Sequence, residues 1–154
     1  YCFGGGLAMA LCCDLRIASD GATFSIPAAK LGLGYGYDVL RTLVDLVGAA
    51  YAKEILYTAR KFSAREAYDM GLVNRVVPQE SLEEYVNGYV ENIAGNAPLT
   101  IRAAKIVISE ILKDLDSRDL EMCNRLIDTC YESDDYKEGR QAFMEKRKPI
   151  FKAR

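Results

Sequence analysis

Tyr1-Cys2-Phe3-Gly4-Gly5-Gly6-Leu7-Ala8-Met9-Ala10-Leu11-Cys12-Cys13-Asp14-Leu15-Arg16-Ile17-Ala18-Ser19 opens the chain. Three glycines end one apolar segment and begin another. The second is too long for a single strand, and its residues up to Cys13 are good helix formers or small. Asp14 interrupts it, and Leu15 to Ser19 then alternates apolar with polar, as a short strand does. The stretch therefore reads as turn, buried helix, strand. Glycine lets a backbone approach a ligand closely, and the first N–H groups of a helix have no internal partner. Such a turn suits either a developing oxyanion in a cleft or simply close helix packing.

Further along, Ala22 to Ile26 reads as a short strand ended by Pro27, and 32–38 as a glycine-spaced loop. Gly32, Gly34 and Gly36 have the wrong third spacing for a dinucleotide fingerprint. Val39 to Val47 reads as a helix closed by Gly48, with Asp38 as its N-cap. Tyr51 to Thr58 is a second helix. Ser63 with Glu66 forms a capping box for a short helix that stops at Gly71, and Val73 to Val77 reads as a strand. Ser81 with Glu84 predicts another box before Leu82, Tyr85, Val86, Tyr89, Val90 and Ile93. Pro98 opens a helix striped by Ile101, Ala104, Ile108 and Ile111. A third shows Leu120, Cys123, Leu126, Ile127 and Cys130. Strands and helices alternate up to about Ala94, and helices dominate afterwards. The three amphipathic stripes exceed what one small region can bury, which points to a partner.

The chain has 154 residues, 50% hydrophobic and 27% charged, with net charge −2. Those totals suit one domain with a real core, and no global field points to nucleic acid or membrane. No apolar run reaches the roughly 20 residues of a membrane span. The odd set Cys2, Cys12, Cys13, Cys123 and Cys130 contains no C-x-x-C pair. Cys12 and Cys13 read as small core residues of a helix, and all five as reduced thiols of a cytoplasmic protein. The chain has no histidine, which rules out a His-based triad on it and removes the commonest zinc ligand; no metal site is expected.

The glycine turn with Cys13-Asp14-Leu15-Arg16-Ile17-Ala18-Ser19 resembles the crotonase (enoyl-CoA hydratase/isomerase) superfamily. Ala22-Thr23-Phe24-Ser25-Ile26-Pro27, Lys30-Leu31-Gly32-Leu33 and Ala52 to Arg60 follow in that family's order. So do Phe62 to Ala67, Gly71 to Pro78 and Ala142 to Pro149. The resemblance implies an α/β fold. Residues 1–94 would form the C-terminal part of a crotonase-like ββα spiral core, and 95–154 a helical trimerisation region. It implies that the family's N-terminal half precedes Tyr1. Acyl-CoA thioesters are the implied substrates, with coenzyme A carried as part of the substrate and no separate cofactor. A homotrimer or dimer of trimers is the implied assembly, without nucleic acid or membrane.

The resemblance also implies a site. Gly5 would give one oxyanion-hole N–H, the second lying in the N-terminal half. Phe3, Gly4, Pro27, Ala28, Leu33 and Gly36 would line the substrate, and Lys146, Lys148 and Phe151 would meet the phosphates and adenine of CoA. Hydratases of the family use two glutamates, at positions that are Ala8 and Ala28 here. No Glu occurs before Glu54, and the only earlier acids are Asp14, Asp20, Asp38 and Asp45. The loop Leu31-Gly32-Leu33-Gly34-Tyr35 resembles that of the family's methylmalonyl-CoA decarboxylases. Tyr35 and Asp38 are thus the candidate catalytic side chains. A core aromatic for Tyr35 and an N-cap for Asp38 are the plainer alternatives, and Lys30 reads as a surface charge. The basic tail from Lys137 to Arg154 reads either as a solvated helix end or as the CoA phosphate site. Three functions remain open: a carbon–carbon lyase (decarboxylase) without the glutamate pair, a hydratase using other acid/base groups, and a non-catalytic acyl-CoA-binding or assembly subunit.

Overall fold

Short strands and helices alternate through the first part of the chain: β1 (Cys2–Phe3), α1 (Gly5–Leu11), β2 (Ile17–Ser19), β3 (Thr23–Ser25), α2 (Ala28–Leu31), α3 (Tyr37–Thr58), β4 (Phe62–Ser63), α4 (Ala64–Asp69) and β5 (Arg75–Val77). The later part is helical: α5 (Leu82–Ala94), α6 (Pro98–Ile111), α7 (Leu120–Glu132) and α8 (Asp134–Glu145). The structure, a computed structural model, describes residues 1–154. It separates into two units, Tyr1–Val86 and Asn87–Arg154, the division falling inside α5. No helix is long and apolar enough to cross a membrane.

In the first unit β1 pairs parallel with β3, which pairs antiparallel with β4. Phe24 and Phe62 stack across that second pair at 5.8 Å. β2 pairs parallel with β5. Arg16 and Asn74 extend this pairing: each takes the other's N–H, on Asn74 Oδ1 and the Arg16 carbonyl, both at 2.7 Å. The Arg16 side chain reaches on to the carbonyls of Leu72 and Cys13. Leu7, Ile26, Leu43, Ile55 and Leu72 are fully buried, so α1, the end of β3, both arms of α3 and the segment after α4 share one core.

The local readings stand in part. The capping box at Ser63 and Glu66 is present, and Pro98 sits in the first turn of α6. Gly48 breaks α3 at φ 74, ψ 163, a conformation that residues with a Cβ rarely adopt. Other readings are corrected. Asp38 is not the N-cap of α3. Gly36 is, and Asp38 lies in the first turn, where the helix N-terminus favours a carboxylate without a capping bond. Helix α1 ends at Leu11, so Cys12 and Cys13 are exposed turn residues rather than core, and Met9 is exposed too. Ser81 caps nothing, because the 3-10 turn Gln79–Ser81 runs directly into α5 through an α-helical Leu82. β1, β4 and the four-residue α2 are too short for periodicity to announce.

In the second unit α6 packs on α7, and α7 on α8. The packed face of α6 is Ala103, Ile106, Val107 and Glu110, whereas Ile101, Ala104, Ile108 and Ile111 are exposed. The helix carries two apolar faces and uses one. Asp119 caps α7 through the Met122 N–H, and Ser133 caps α8 through the Tyr136 N–H. Beyond Lys146 the tail is not a solvated helix end. It leaves the helix and runs back against it.

Candidate active site

The glycine turn is built by strand pairing. With Phe3 opposite Ser25, the Gly4 N–H donates to the Ser25 carbonyl at 2.8 Å. Gly4 then turns at φ 51, ψ −116, a conformation that disfavours any Cβ. Helix α1 starts at once, and its first bond runs from the Ala8 N–H to the Gly4 carbonyl at 3.0 Å. The Gly5 N–H has no acceptor within the chain. It lies on an open surface: Gly5 is exposed, and a Cβ there would meet nothing within 4 Å. The two best-defined cavities both lie in the C-terminal unit.

Tyr35 comes to the same turn. Its hydroxyl is 3.9 Å from where a Cβ on Gly4 would stand, and its ring packs on the core. The chain reaches this position through α2, with Gly32 left-handed at its end and the Leu33 N–H on the Ala28 carbonyl. Pro27 precedes α2, and Ala28 is buried as its first residue. Leu33, Gly36 and Asp38 are exposed. Asp14, Asp20, Asp38 and Asp45 are all exposed, and Ala8 and Ala28 present methyl groups. No buried carboxylate therefore stands in the first 53 residues. Lys61 was not singled out in the sequence. Its ammonium lies 5.5 Å from the Phe3 ring centroid, which Tyr1 also contacts at 5.5 Å. The two residues are far apart in sequence, and no local pattern links them.

Lys146, Lys148 and Phe151 belong to the other unit. Lys146 is the left-handed residue that ends α8, at φ 54, and is exposed. Lys148 lines a cavity of about 440 Å³ with Asn96, Pro98, Ile150 and Phe151. Phe151 also lines a neighbouring, mostly apolar cavity of about 820 Å³ between α6, α7 and α8. Arg147 is occupied: its guanidinium bridges both oxygens of Glu138, at 2.6 and 2.9 Å, and meets Glu145 at 2.6 Å. Hydrogen bonds from Arg147 and then from the Ile150 N–H bring the Glu138 carboxyl down to about 2. Of the three cations at 146–148, Arg147 is thus the one held in ion pairs, with Glu138 and Glu145. No group of three His, Cys, Asp or Glu residues could hold a metal.

The family model for enoyl-CoA hydratase/isomerase matches residues 1–154. Crotonyl-CoA hydratase of Syntrophomonas wolfei is 37% identical over 151 residues, covering 98% of this chain and 58% of its own length. Short-chain-enoyl-CoA hydratase of Clostridium acetobutylicum is 35% identical, covering 96% and 57%. The crystal structure of an enoyl-CoA hydratase/carnithine racemase from Magnetospirillum magneticum superposes with TM-score 0.90 at 35% identity, over 99% of this chain and 57% of that one. The chain thus spans less than three-fifths of the length of each of these three relatives. The backbone follows the fold of the Magnetospirillum magneticum neighbour over nearly the whole length of this chain, and the chain belongs to the enoyl-CoA hydratase/isomerase family.

Proposed function

We propose that the protein acts on acyl-CoA thioesters by stabilising a thioester enolate at the Gly5 N–H, and that it works as a decarboxylase rather than through a glutamate pair. The observation that carries this reading is the Tyr35 hydroxyl beside Gly4, together with alanine, Ala8 in α1 and Ala28 in α2, at the two positions where the family resemblance would place glutamates. Hydration needs a base for water and an acid for the α-carbon, each typically contributing ~10²–10⁴ in rate. A malonyl-type thioester needs neither to form the enolate. Its C–C bond breaks, CO₂ leaves, and the electron pair moves onto the thioester carbonyl, to whose oxygen the Gly5 N–H donates a hydrogen bond. The Tyr35 phenol orients the departing carboxylate or delivers the proton to carbon. A second N–H would complete the hole. Lys146, Lys148 and Phe151 would hold the phosphates and adenine of CoA. No other cofactor is needed. The exposed faces of α6 and α7 support a homotrimer or dimer of trimers, which sedimentation of the full-length protein tests.

Hydration is the second reading, favoured by the names of the relatives, crotonyl-CoA and short-chain-enoyl-CoA hydratase. The two separate cleanly. The full-length protein should release CO₂ from a malonyl-type CoA thioester faster than it hydrates crotonyl-CoA. Tyr35→Phe should slow that release, and Lys30→Ala should leave it unchanged. Brisk hydration without CO₂ release restores the hydratase. Binding of acyl-CoA without either reaction leaves a non-catalytic subunit.

A further inference from the structure

Residues 148–154 have no helix or strand, yet they are tied along α8 by two side chains one turn apart. Glu138 holds Arg147 through both oxygens and also accepts the Ile150 N–H at 2.9 Å. Asp135, only 3% exposed, accepts the N–H of Lys152 at 2.6 Å and of Ala153 at 2.9 Å. Its own N–H donates to the Arg154 carbonyl at 3.0 Å. Between these anchors the Phe151 ring lies over Gly139, 3.5 Å from where a Cβ would stand. Helix α8 thus offers carboxylate, carboxylate and bare backbone at Asp135, Glu138 and Gly139, on the face that i, i+3 and i+4 positions share. The two acids supply the acceptors that a sheet neighbour would give an extended segment.

We propose that Asp135 and Glu138 are positioning residues for the nucleotide end of coenzyme A, acting through the strap that carries Lys148 and Phe151. This rests on the reading of Lys148 and Phe151 as CoA contacts. Carboxylates so close to a phosphate site would ordinarily repel the ligand. Here both are committed, one to a guanidinium and backbone, the other to backbone alone, and Lys148 keeps its charge unpaired beside the cavity. Fixing the strap during folding removes the cost of ordering Lys148 and Phe151 from the binding step.

The test uses the full chain with CoA, adenosine 3′,5′-bisphosphate and pantetheine as calorimetric probes, plus hydrogen exchange over 147–153. Glu138→Gln should speed exchange of the Ile150 amide. It should weaken both nucleotide probes about tenfold, as the ordering of Lys148 and Phe151 returns to the binding step. Pantetheine, which lacks the nucleotide, should be unaffected, a split that general destabilisation would not give. Asp135→Asn should act in the same direction; if it does not fold, the half-exposed Glu138 carries the test. Faster exchange with unchanged nucleotide binding, while Lys148→Ala weakens it, overturns the positioning role and leaves the CoA reading intact. Unchanged exchange in Glu138→Gln also overturns the positioning role. A wild-type chain that ignores the bisphosphate, or a Lys148→Ala chain that binds it normally, overturns the CoA reading and this proposal with it.

Discussion

The two units solve burial differently. Residues 1–86 close over large apolar side chains, with Leu7, Ile26, Leu43, Ile55 and Leu72 shut from solvent. In residues 87–154 the only buried apolar side chains are Ala103, Cys123 and Ala142, while Ile108, Ile111, Ile127 and Phe143 are exposed. The other buried side chains of the second unit are polar: Glu110, Ser133 and Asp135. Glu110 receives the Asp119 N–H and the Lys113 ammonium, joining the end of α6 to the start of α7. Asp135 and Glu138 fix the tail in the same manner. One unit is held by an apolar core, the other in large part by carboxylates on backbone N–H groups around helices whose outer apolar faces are exposed. The difference teaches that a stripe of apolar residues on a helix does not by itself say which neighbour covers it.

The contrast is broken most directly by truncating one apolar side chain in each unit. Leu43→Ala should cost about 2–5 kcal/mol by denaturant unfolding, the usual range for a buried leucine. Ile108→Ala, 58% exposed, should stay within about 0.5 kcal/mol for the isolated chain. Equal losses would mean that the second unit has a core of its own.

Next in size is Asp135→Ala, which removes a buried carboxylate and leaves the part-buried N–H groups of Lys152 and Ala153 without their acceptor. It should cost about 1–3 kcal/mol and release the tail, read as loss of amide protection there. A smaller and deliberately matched pair tests whether local capping matters equally in both units. Ser63→Ala removes a capping box and Ser133→Ala the cap of α8, and each should cost about 1 kcal/mol. A much larger loss at Ser133 would show that the second unit leans on its polar contacts for more than helix initiation.

The smallest effect is a pH dependence confined to the strap. The Glu138 carboxyl, ordinarily 4.5, is depressed to about 2 by Arg147 and the Ile150 N–H. A group depressed on folding contributes fully above its unfolded value and loses that contribution as pH falls through the folded one. Protection of the Ile150 amide should therefore be constant above about 4.5 and decline from there towards 2. In Glu138→Gln that decline should be absent. A midpoint near 4.5 would mean that the Arg147 contact does not form in solution.

Amino-acid order alone determined what depends on neighbours within a turn or two: the helix start after Gly4-Gly5-Gly6, the Ser63–Glu66 box, Pro98 in its first turn, the break at Gly48 and the change to helices late in the chain. The ordered motifs also determined the family, and the inventory of acids determined that no glutamate precedes Glu54. Local rules misjudged Asp38 and Ser81, because a residue fit to cap does so only where the backbone is extended before the helix. They misjudged Cys12 and Cys13, because apolar character cannot say where a helix ends. Only the tertiary structure decided which face of α6 is used, since helical spacing is the same for a buried and a waiting stripe. It alone brought Tyr35 to Gly4, Lys61 to Phe3, and the tail to Asp135 and Glu138. Those meetings join residues that no periodicity relates, because they depend on how strands and helices pack after they have formed.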